Sequence, residues 1–259
     1  VADQNLHDTI DSLKKQFKGI KHLVLIGIGG SDLGTKAVHR VLGEEKVKLH
    51  SLDTVSSHQV TKLIETLKVV KRADKIAVCI VSKSGGTAET LVNAGVLLGE
   101  LENRLGKEIH QQAIYIGNTG TDLMKTAKRM GSVTVPMPEI VGGRFSVATE
   151  VGLIPLALLG HDTDAFIEGV LDATSEDLES VAAENAVRLN HYAQKNFSHY
   201  NFFAFEPRLY QLGGWYRQLM GESIGKEKDR AGKEMKKGFV PTITTAVELH
   251  SMGQLYMSG

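Results

Sequence analysis

Two glycine-rich segments each follow a short apolar run and precede a helical pattern. The first is Gly27-Ile28-Gly29-Gly30-Ser31-Asp32-Leu33-Gly34, and the second is Ser82-Lys83-Ser84-Gly85-Gly86-Thr87. Glycine allows the tight turn that brings backbone N–H groups against an anion at a helix N-terminus. The second segment adds three hydroxyls beside two glycines. It therefore predicts a binding site for a phosphate monoester.

Both segments also have other interpretations. In the first, Asp53 could supply the acidic residue of a dinucleotide fingerprint, but Asp32 occupies the third glycine position of G-x-G-x-x-G. A dinucleotide, another phosphate ligand and a simple tight turn therefore remain open for it. The second segment is not a Walker loop, because it lacks the Gly-Lys-Ser/Thr sequence. It could instead be an ordinary helix start with Ser or Thr as the N-cap.

Three further motifs contain side chains that could do chemistry. Gly142-Gly143-Arg144-Phe145-Ser146 places an arginine beside glycines, as expected for a rigidly held guanidinium or for a surface turn. Glu222 lies at a predicted helix end just before a glycine, in Gln218–Lys226. His250 lies early in a helical pattern that follows a predicted strand, in Glu248–Gln254. Alone, Glu222 could be a solvated carboxylate and His250 a structural imidazole.

The apolar pattern predicts the elements that would position these residues. Wholly apolar runs imply strands buried on both faces, as in a parallel sheet covered by helices. These runs are Leu23–Ile26, Val47–Leu52, Ile76–Val81, Ala113–Ile116 and Val133–Val135. Helical patterns lie at residues 1–20 and near 32–42, 57–68, 88–103 and 121–130. The pattern predicts a doubly wound α/β domain, in which ligands bind at the carboxyl ends of the strands.

The second half of the chain has a different pattern. Residues 145–196 contain no strand-like run and are predicted to be helical, with breaks near 160–163 and 174–177. Strand patterns return at Tyr200–Phe205 and Phe239–Thr244, followed by helical patterns at 208–220 and 246–258. Two strands make a poor sheet. We therefore predict a first domain at residues 1–140, and a helical connection with an incomplete second α/β unit at 141–259.

The composition limits the classes of partner. Thirty basic and thirty acidic side chains cancel, so no global field is expected to recruit nucleic acid or a membrane. The single cysteine, Cys79, cannot form an intrachain disulfide and is predicted to be a buried apolar residue. No run approaches the roughly 18 apolar residues of a membrane helix, and no signal peptide is recognisable. We therefore expect a cytoplasmic protein. The spacing of candidate ligands predicts no metal site.

Taken together and in this order, the motifs resemble those of the glucose-6-phosphate isomerase family from about residue 20 onward. Trp215–Lys226 and Gly142–Ser146 are specific to that family, whereas Ser82–Thr87 alone indicates the wider class of SIS phosphosugar domains. The resemblance implies two SIS domains of flavodoxin-like type. It also implies interconversion of glucose 6-phosphate and fructose 6-phosphate through a cis-enediol(ate), by a homodimer without a cofactor.

The resemblance also implies roles for individual residues. Glu222 matches the base that moves the carbon-bound proton, and Arg144 matches the arginine that faces the developing enediolate. His250 matches a histidine that assists ring opening in the other subunit's site. Gln218 matches a glutamine that contacts substrate. The loops that hold phosphate and sugar are matched by Gly30, Ser31 and the six residues Ser82–Thr87.

The chain departs from the family pattern at both ends. The family continues past Gly259, with a C-terminal helix that carries a ring-opening lysine and a substrate-contacting glutamine, and it begins before residue 1. The chain therefore resembles a fragment or an unusually short member.

Two interpretations of the basic stretch Lys226–Lys237 remain open: a solvated loop, and a source of positive potential that attracts a dianionic substrate. Rival functions are a mannose-6-phosphate isomerase, a non-catalytic phosphosugar sensor and a dehydrogenase.

Overall fold

The computed structural model describes residues 4–43, 46–235 and 239–258. Contacts divide the chain into two compact units, Val1–Asp164 and Ala165–Gly259. The division falls later than the predicted boundary after residue 140. The reason is an apolar helix at Glu150–Leu159, buried from Val151 to Leu159, which packs against the helices at Gln4–Gln16 and Leu33–Leu42. In the described part of the chain, no helix is both long and apolar enough to cross a membrane.

The first unit contains a five-stranded parallel sheet. Its strands are β1 His22–Ile26, β2 Lys48–Leu52, β3 Ile76–Val81, β4 Ala113–Gly117 and β5 Val133–Pro136. Their order is β2-β1-β3-β4-β5, which is the flavodoxin-like order. Every residue of β3 is buried, because helices cover both faces of the sheet. The predicted doubly wound fold is therefore confirmed, with strand bounds within a few residues of the predicted ones.

Six helices surround this sheet in the described part of the first unit. They are α1 Gln4–Gln16, α2 Leu33–Leu42, α3 Ser57–Leu67, α4 Ala88–Leu105, α5 Asp122–Arg129 and α6 Glu150–Leu159. The predicted N-terminal helix is confirmed at α1, while residues 1–3 lie outside the described residues. Nine consecutive residues of α6, Val151–Leu159, are buried, as expected of a helix that is apolar all round. The lone cysteine, Cys79, is buried within β3, as predicted.

The order of the strands makes β1 the neighbour of β3. Both strands are parallel, and Ile26 near the end of β1 pairs with Ile80 near the end of β3. The chain moves outward to β2 on one side of β1 and to β4 on the other side of β3. This is the topological switch point, where open α/β sheets bind their ligands. The two glycine-rich segments follow these two strands.

The second unit is a smaller α/β arrangement. After α7 Thr163–Asp172, which spans the division, its elements are α8 Glu176–Gln194, β6 His199–Ala204, α9 Tyr210–Ile224, β7 Val240–Thr245 and α10 Leu249–Ser258. Strands β6 and β7 form a two-stranded parallel sheet. Helix α9 approaches this sheet closely at Gly213, where a Cβ would lie 2.9 Å from Phe202 and 3.0 Å from Ile243. The predicted helical stretch and the incomplete second α/β unit are therefore confirmed.

Two stacked histidines join β1 to β2. His22 Nδ1 lies 3.0 Å from His50 Nε2, and the ring centroids are 5.3 Å apart. Burial lowers the pKa of His50 from 6.5 to about 4, with smaller contributions from His22 and Lys48. Burial and Lys48 also lower the pKa of His22. The folded state therefore favours the uncharged imidazoles.

We expect the first unit to lose stability as the pH falls from about 6.5 toward about 4. The pKa of His50 is lower in the folded state than in the unfolded chain, so the unfolded state takes up the proton first. The stabilisation by the uncharged His50 is complete above the pKa that this group has in the unfolded chain. It is lost as the pH falls, which lowers the free energy of unfolding by on the order of 2–3 kcal/mol once solvent screening is allowed for. Urea unfolding measured across this pH range tests the expectation.

The matched variants are His50→Gln and His58→Gln. Glutamine at position 50 keeps a polar partner for His22 but does not titrate, so the pH dependence should become flatter. His58 is exposed on α3, and its replacement removes an imidazole without touching the pair. His58→Gln should keep the slope of the unmodified protein. An unchanged slope in His50→Gln would contradict the assignment.

Candidate active site

The loop Ser82–Thr87 joins β3 to α4 and turns sharply around glycine. Gly85 has φ +67°, and a Cβ there would lie 2.7 Å from Cβ of Thr121, so the position requires glycine. The buried Ser82 hydroxyl lies 3.1 Å from the Thr87 hydroxyl. The Gly86 N–H donates to Ser84 Oγ at 3.2 Å. Hydroxyls and backbone donors therefore gather at the N-terminus of α4.

Thr87 distinguishes the two interpretations of this loop. It occupies the N-cap position of α4, yet its side chain accepts no capping hydrogen bond from the helix. Thr121, by contrast, occupies the N-cap of α5 and accepts from the Met124 N–H. The Thr87 hydroxyl is directed toward Ser82 instead of toward the first turn of the helix. The loop is therefore arranged differently from a simple capped helix start.

The loop after β1 contacts a distant segment of the chain through its backbone. Gly30 lies in a short 3₁₀ turn, Gly29–Ser31, and a Cβ at Gly30 would overlap the Gly143 carbonyl group. The Ser146 hydroxyl lies 2.7 Å from the carbonyl oxygen of Gly143 and 3.3 Å from that of Gly30. These contacts hold the Gly142–Ser146 motif beside the first glycine-rich loop.

Asp32 has a structural role in the same loop. Its side chain is fully buried and accepts from Lys36 Nζ at 2.7 Å and from Ser51 Oγ at 2.8 Å. Lys36 Nζ also donates to Asp53 at 2.6 Å. Burial raises the pKa of Asp32, while Lys36 and Ser51 oppose this shift. Asp53 therefore has a partner within the protein, which weakens the dinucleotide interpretation of this loop.

The Asp32–Lys36–Asp53 network was not predicted from the sequence. Asp32 and Lys36 are four residues apart at the start of α2, which is the spacing of a helical ion pair. That spacing was a usable signal. The contributions of Ser51 and Asp53 depend on β2 lying beside β1, and no local pattern reports this neighbourhood.

Arg144 lies in the 3₁₀ segment Gly143–Ala148. Its guanidinium carbon is 4.5 Å from the centroid of the Phe145 ring, which is a cation–π distance. The Phe145 side chain is half exposed, so the stacked pair lies at the protein surface. The close approach of Gly30 fixes the backbone of the same segment, with the Arg144 nitrogen 2.6 Å from the position of a Gly30 Cβ. The structure thus holds a cation beside the first glycine-rich loop.

Lys83 makes contacts that its position in the sequence did not suggest. Its Nζ donates to the carbonyl oxygens of Glu139 at 2.6 Å and Val141 at 3.0 Å. These carbonyls immediately precede the Gly142–Ser146 motif. Two of the three ammonium donors are therefore directed at the protein backbone.

In the second unit, Gln218 and Glu222 lie one turn apart on α9. Gln218 Nε2 donates to Glu222 Oε1 at 2.9 Å, and Lys226 Nζ donates to the Glu222 carbonyl oxygen at 2.8 Å. Helix α9 ends directly afterwards, with Gly225 as its C-cap. The Glu222 side chain is exposed. The amide of Gln218 thus orients a carboxylate at the end of the helix.

His250 lies in the first turn of α10, on the exposed surface of the second unit. A capping box at Thr245 and Glu248 fixes the start of this helical segment. The stretch from Lys226 forms a tight turn, in which Asp229 Oδ1 accepts from the N–H groups of Ala231 and Lys233. This part of the basic stretch is therefore an ordered, exposed turn, and Lys236 and Lys237 lie outside the described residues.

A cavity of about 480 Å³ lies at the C-terminal end of α9. Its lining residues belong to the last turn of that helix, the basic stretch and the approach to β7: Gly221, Ile224, Gly225, Lys226, Glu227, Glu234, Met235 and Phe239. Glu222 follows the lining residue Gly221 directly in the sequence. Among the described residues, no group of three or more His, Cys, Asp or Glu could hold a metal ion.

Each unit offers a distinct kind of chemistry. The first unit provides hydroxyl and backbone donors at a helix N-terminus, with an arginine on the adjoining segment, and such a set can bind and stabilise anions. The second unit provides an oriented carboxylate, which can accept a proton, and an exposed imidazole, which can exchange one. The structure brings the predicted loop residues and Arg144 into one unit and Gln218, Glu222 and His250 into the other.

Two comparisons with known proteins indicate the same family for this chain. The family model described as phosphoglucose isomerase matches residues 4–253. A glucose-6-phosphate isomerase from Thermus thermophilus is 35% identical over 245 residues, which cover 93% of this chain and 57% of that protein. The chain therefore spans less than two thirds of the length of this curated relative.

Two crystal structures resemble the chain in fold. A hypothetical protein from Thermus thermophilus has a TM-score of 0.84 and 32% sequence identity, covering 98% of this chain and 61% of that one. A glucose-6-phosphate isomerase from Chlamydia trachomatis has a TM-score of 0.80 and 21% identity, covering 97% of this chain and 50% of that one. The SIS-type fold that the sequence predicted is therefore confirmed.

Proposed function

Because the chain belongs to the phosphoglucose isomerase family, we propose that it interconverts glucose 6-phosphate and fructose 6-phosphate in the cytoplasm. The reaction moves a proton between C2 and C1 of the opened sugar through a cis-enediolate. The aldehyde carbon is reduced and the neighbouring alcohol carbon is oxidised within the same molecule, so no external oxidant is required. The observation that carries the proposal is the Ser82–Thr87 loop, whose hydroxyls gather at a helix N-terminus at the switch point of the sheet.

The substrate phosphate is assigned to this loop. Ser82, Ser84 and Thr87 supply hydroxyls, and Gly85 and Gly86 let the backbone approach the phosphate oxygens. The positive end of the α4 dipole favours a dianion at this position. Gly30 and Ser31 are assigned to the sugar, because their loop follows the neighbouring strand. Binding the phosphate away from the reacting carbons orients those carbons.

The proton transfer is assigned to Glu222. A carboxylate can remove the proton from C2 and return it to C1 if it stays on one face of the intermediate. The hydrogen bond from Gln218 to Oε1 orients the carboxylate for the carbon-bound proton. Arg144 is assigned to the negative charge that develops on the enediolate oxygens. A fixed guanidinium stabilises this charge without reorganisation during the reaction.

Ring opening is assigned to His250 of a second copy of the chain. The exposed position of His250 on α10 supports this assignment, because an exposed imidazole can reach a neighbouring molecule. The proposed active form is accordingly a homodimer in which each subunit completes the other's site. Light scattering at several protein concentrations measures the oligomeric state. Activity regained when His250→Gln and Glu222→Gln subunits are mixed measures the complementation.

The function is tested by supplying the purified protein with fructose 6-phosphate and detecting glucose 6-phosphate with a coupled dehydrogenase. The expected result is formation of glucose 6-phosphate when the protein is incubated with fructose 6-phosphate alone, the nicotinamide nucleotide being added afterwards with the coupling dehydrogenase. Formation of mannose 6-phosphate from the same substrate would extend or redirect the assignment to the C2 epimer. Binding of sugar phosphates without any turnover would favour a phosphosugar sensor and would overturn the proposed function.

Thr87→Ala should weaken the binding of fructose 6-phosphate and of inorganic phosphate by about 1–3 kcal/mol. The physical reason is the loss of a hydroxyl that donates to a charged phosphate oxygen. Because Thr87 does not cap α4 through its side chain, the folded state should lose little stability. Isothermal titration calorimetry with both ligands measures the effect.

The control is Thr66→Ala, the same substitution on the exposed surface of α3. It should leave both affinities unchanged. Binding of unphosphorylated fructose, measured at high concentration, should be the same in Thr87→Ala and in the unmodified protein. An equal loss for phosphorylated and unphosphorylated ligands would show that Thr87 acts through folding of the loop.

A further inference from the structure

Lys83 connects the phosphate loop to the segment that carries Arg144. Its Nζ lies 2.6 Å from the Glu139 carbonyl oxygen and 3.0 Å from the Val141 carbonyl oxygen. Both carbonyls belong to the stretch between the end of β5 and the 3₁₀ segment that contains Arg144. Within this stretch the Ile140 side chain is 97% exposed, so apolar packing at that residue contributes little to fixing it.

The other end of the Arg144 segment is fixed by the first glycine-rich loop. The Gly30 backbone is in direct contact with Gly143, and the Ser146 hydroxyl lies within hydrogen-bonding distance of the Gly143 and Gly30 carbonyl oxygens. The backbone around Arg144 is therefore attached at two places. Lys83 supplies the attachment at residues 139–141, and Gly30 with Ser146 supplies the attachment at residues 143–146.

The geometry distinguishes this role from that of a phosphate ligand. An ammonium group has three donors, and two of those of Lys83 are directed at neutral carbonyl oxygens. Turning the group toward a phosphate in the adjacent loop would break two charge-assisted hydrogen bonds and leave two carbonyls without their donor. The hydroxyls and backbone of Ser82–Thr87 already provide donors for the phosphate.

We propose that Lys83 is a positioning residue whose ammonium group holds the 139–141 backbone and thereby fixes Arg144 against the anionic part of the substrate. The proposal rests on the function proposed above. It deepens that function by assigning to Lys83 a role in stabilising the enediolate through Arg144, and no role as a phosphate contact.

The test is a double-mutant cycle of Lys83→Met and Arg144→Ala, read by calorimetry with two probes. The first probe is 6-phosphogluconate, whose carboxylate at C1 carries negative charge where the enediolate develops it. The second probe is inorganic phosphate. Lys83→Met should weaken the binding of 6-phosphogluconate about tenfold when Arg144 is present. In the Arg144→Ala variant it should have no further effect on this binding. Phosphate affinity should change by less than about twofold.

Rescue by arginine adds a readout that a general loss of stability would not reproduce. Lys83→Arg retains a cation with several donors and should restore most of the 6-phosphogluconate affinity, whereas Lys83→Gln, a neutral donor, should restore little. In steady-state kinetics Lys83→Met should lower kcat for fructose 6-phosphate more than it changes KM. If Lys83→Met does not fold, the cycle is carried out with Lys83→Gln.

Several results would overturn the inference. An equal loss of phosphate and 6-phosphogluconate affinity in Lys83→Met would make Lys83 a phosphate ligand. Additive effects of Lys83→Met and Arg144→Ala would show that Lys83 acts independently of Arg144. Failure of the unmodified protein to bind 6-phosphogluconate while it binds phosphate would also refute it. If the double-mutant cycle shows coupling between Lys83 and Arg144 but the protein does not turn over fructose 6-phosphate, the proposed function is refuted and the positioning role is retained.

Discussion

Replacing Glu222 with glutamine should lower kcat for fructose 6-phosphate by about 10²–10⁴-fold and leave substrate affinity nearly unchanged. Glutamine preserves the shape of the side chain, and its carbonyl oxygen can still accept the hydrogen bond from Gln218. It cannot accept a proton from carbon at neutral pH. The loss should therefore fall on the chemical step, because we assign binding to the loops of the first unit.

The measurement pairs steady-state rates with exchange of the C2 proton into deuterated water. Both should decrease together, because we propose that the same carboxylate removes and returns the proton. The control is Glu227→Gln, an exposed carboxylate five residues further along that begins the ordered turn after α9. It should keep normal rates. A normal kcat in Glu222→Gln would remove Glu222 from the role of base.

Replacing Arg144 with alanine should lower kcat by about 10²–10³-fold. The guanidinium is assigned to charge that is greatest in the enediolate, so its loss should affect the intermediate more than the bound sugar. Lysine at position 144 should recover only part of the rate. An ammonium group retains the charge but lacks the planar fork, and it stacks less well on the Phe145 ring.

The control for this variant is Arg129→Ala, on the exposed end of α5, where the guanidinium contacts only Thr126 among the hydrogen bonds described. It should leave kcat and KM unchanged. A raised KM with a normal kcat in Arg144→Ala would assign the guanidinium to ground-state binding of the phosphate.

The local sequence determined the elements and their types. Apolar runs such as Ile76–Val81 can be buried on both faces only in a parallel sheet under helices, and the structure has β3 there with every residue buried. The glycines of Ser82–Thr87 marked the strand-to-helix turn, because a positive φ at Gly85 excludes most other residues. The assignments of Glu222, Arg144 and His250 came from motifs, and they remain predictions for the experiments above.

Only the tertiary structure decided which of these elements are neighbours. The order β2-β1-β3-β4-β5 places the two glycine-rich loops side by side, although 47 residues lie between them in the chain. The contact between Gly30 and Gly143, and the reach of Lys83 to the 139–141 backbone, depend on that order. Helical and strand periodicity report only burial along one element, so the sequence alone carried no signal for these contacts. In the folded chain the ammonium group of Lys83 donates to the Glu139 and Val141 carbonyl oxygens, which only the fold brings within reach, and the positioning role proposed for Lys83 depends on these contacts.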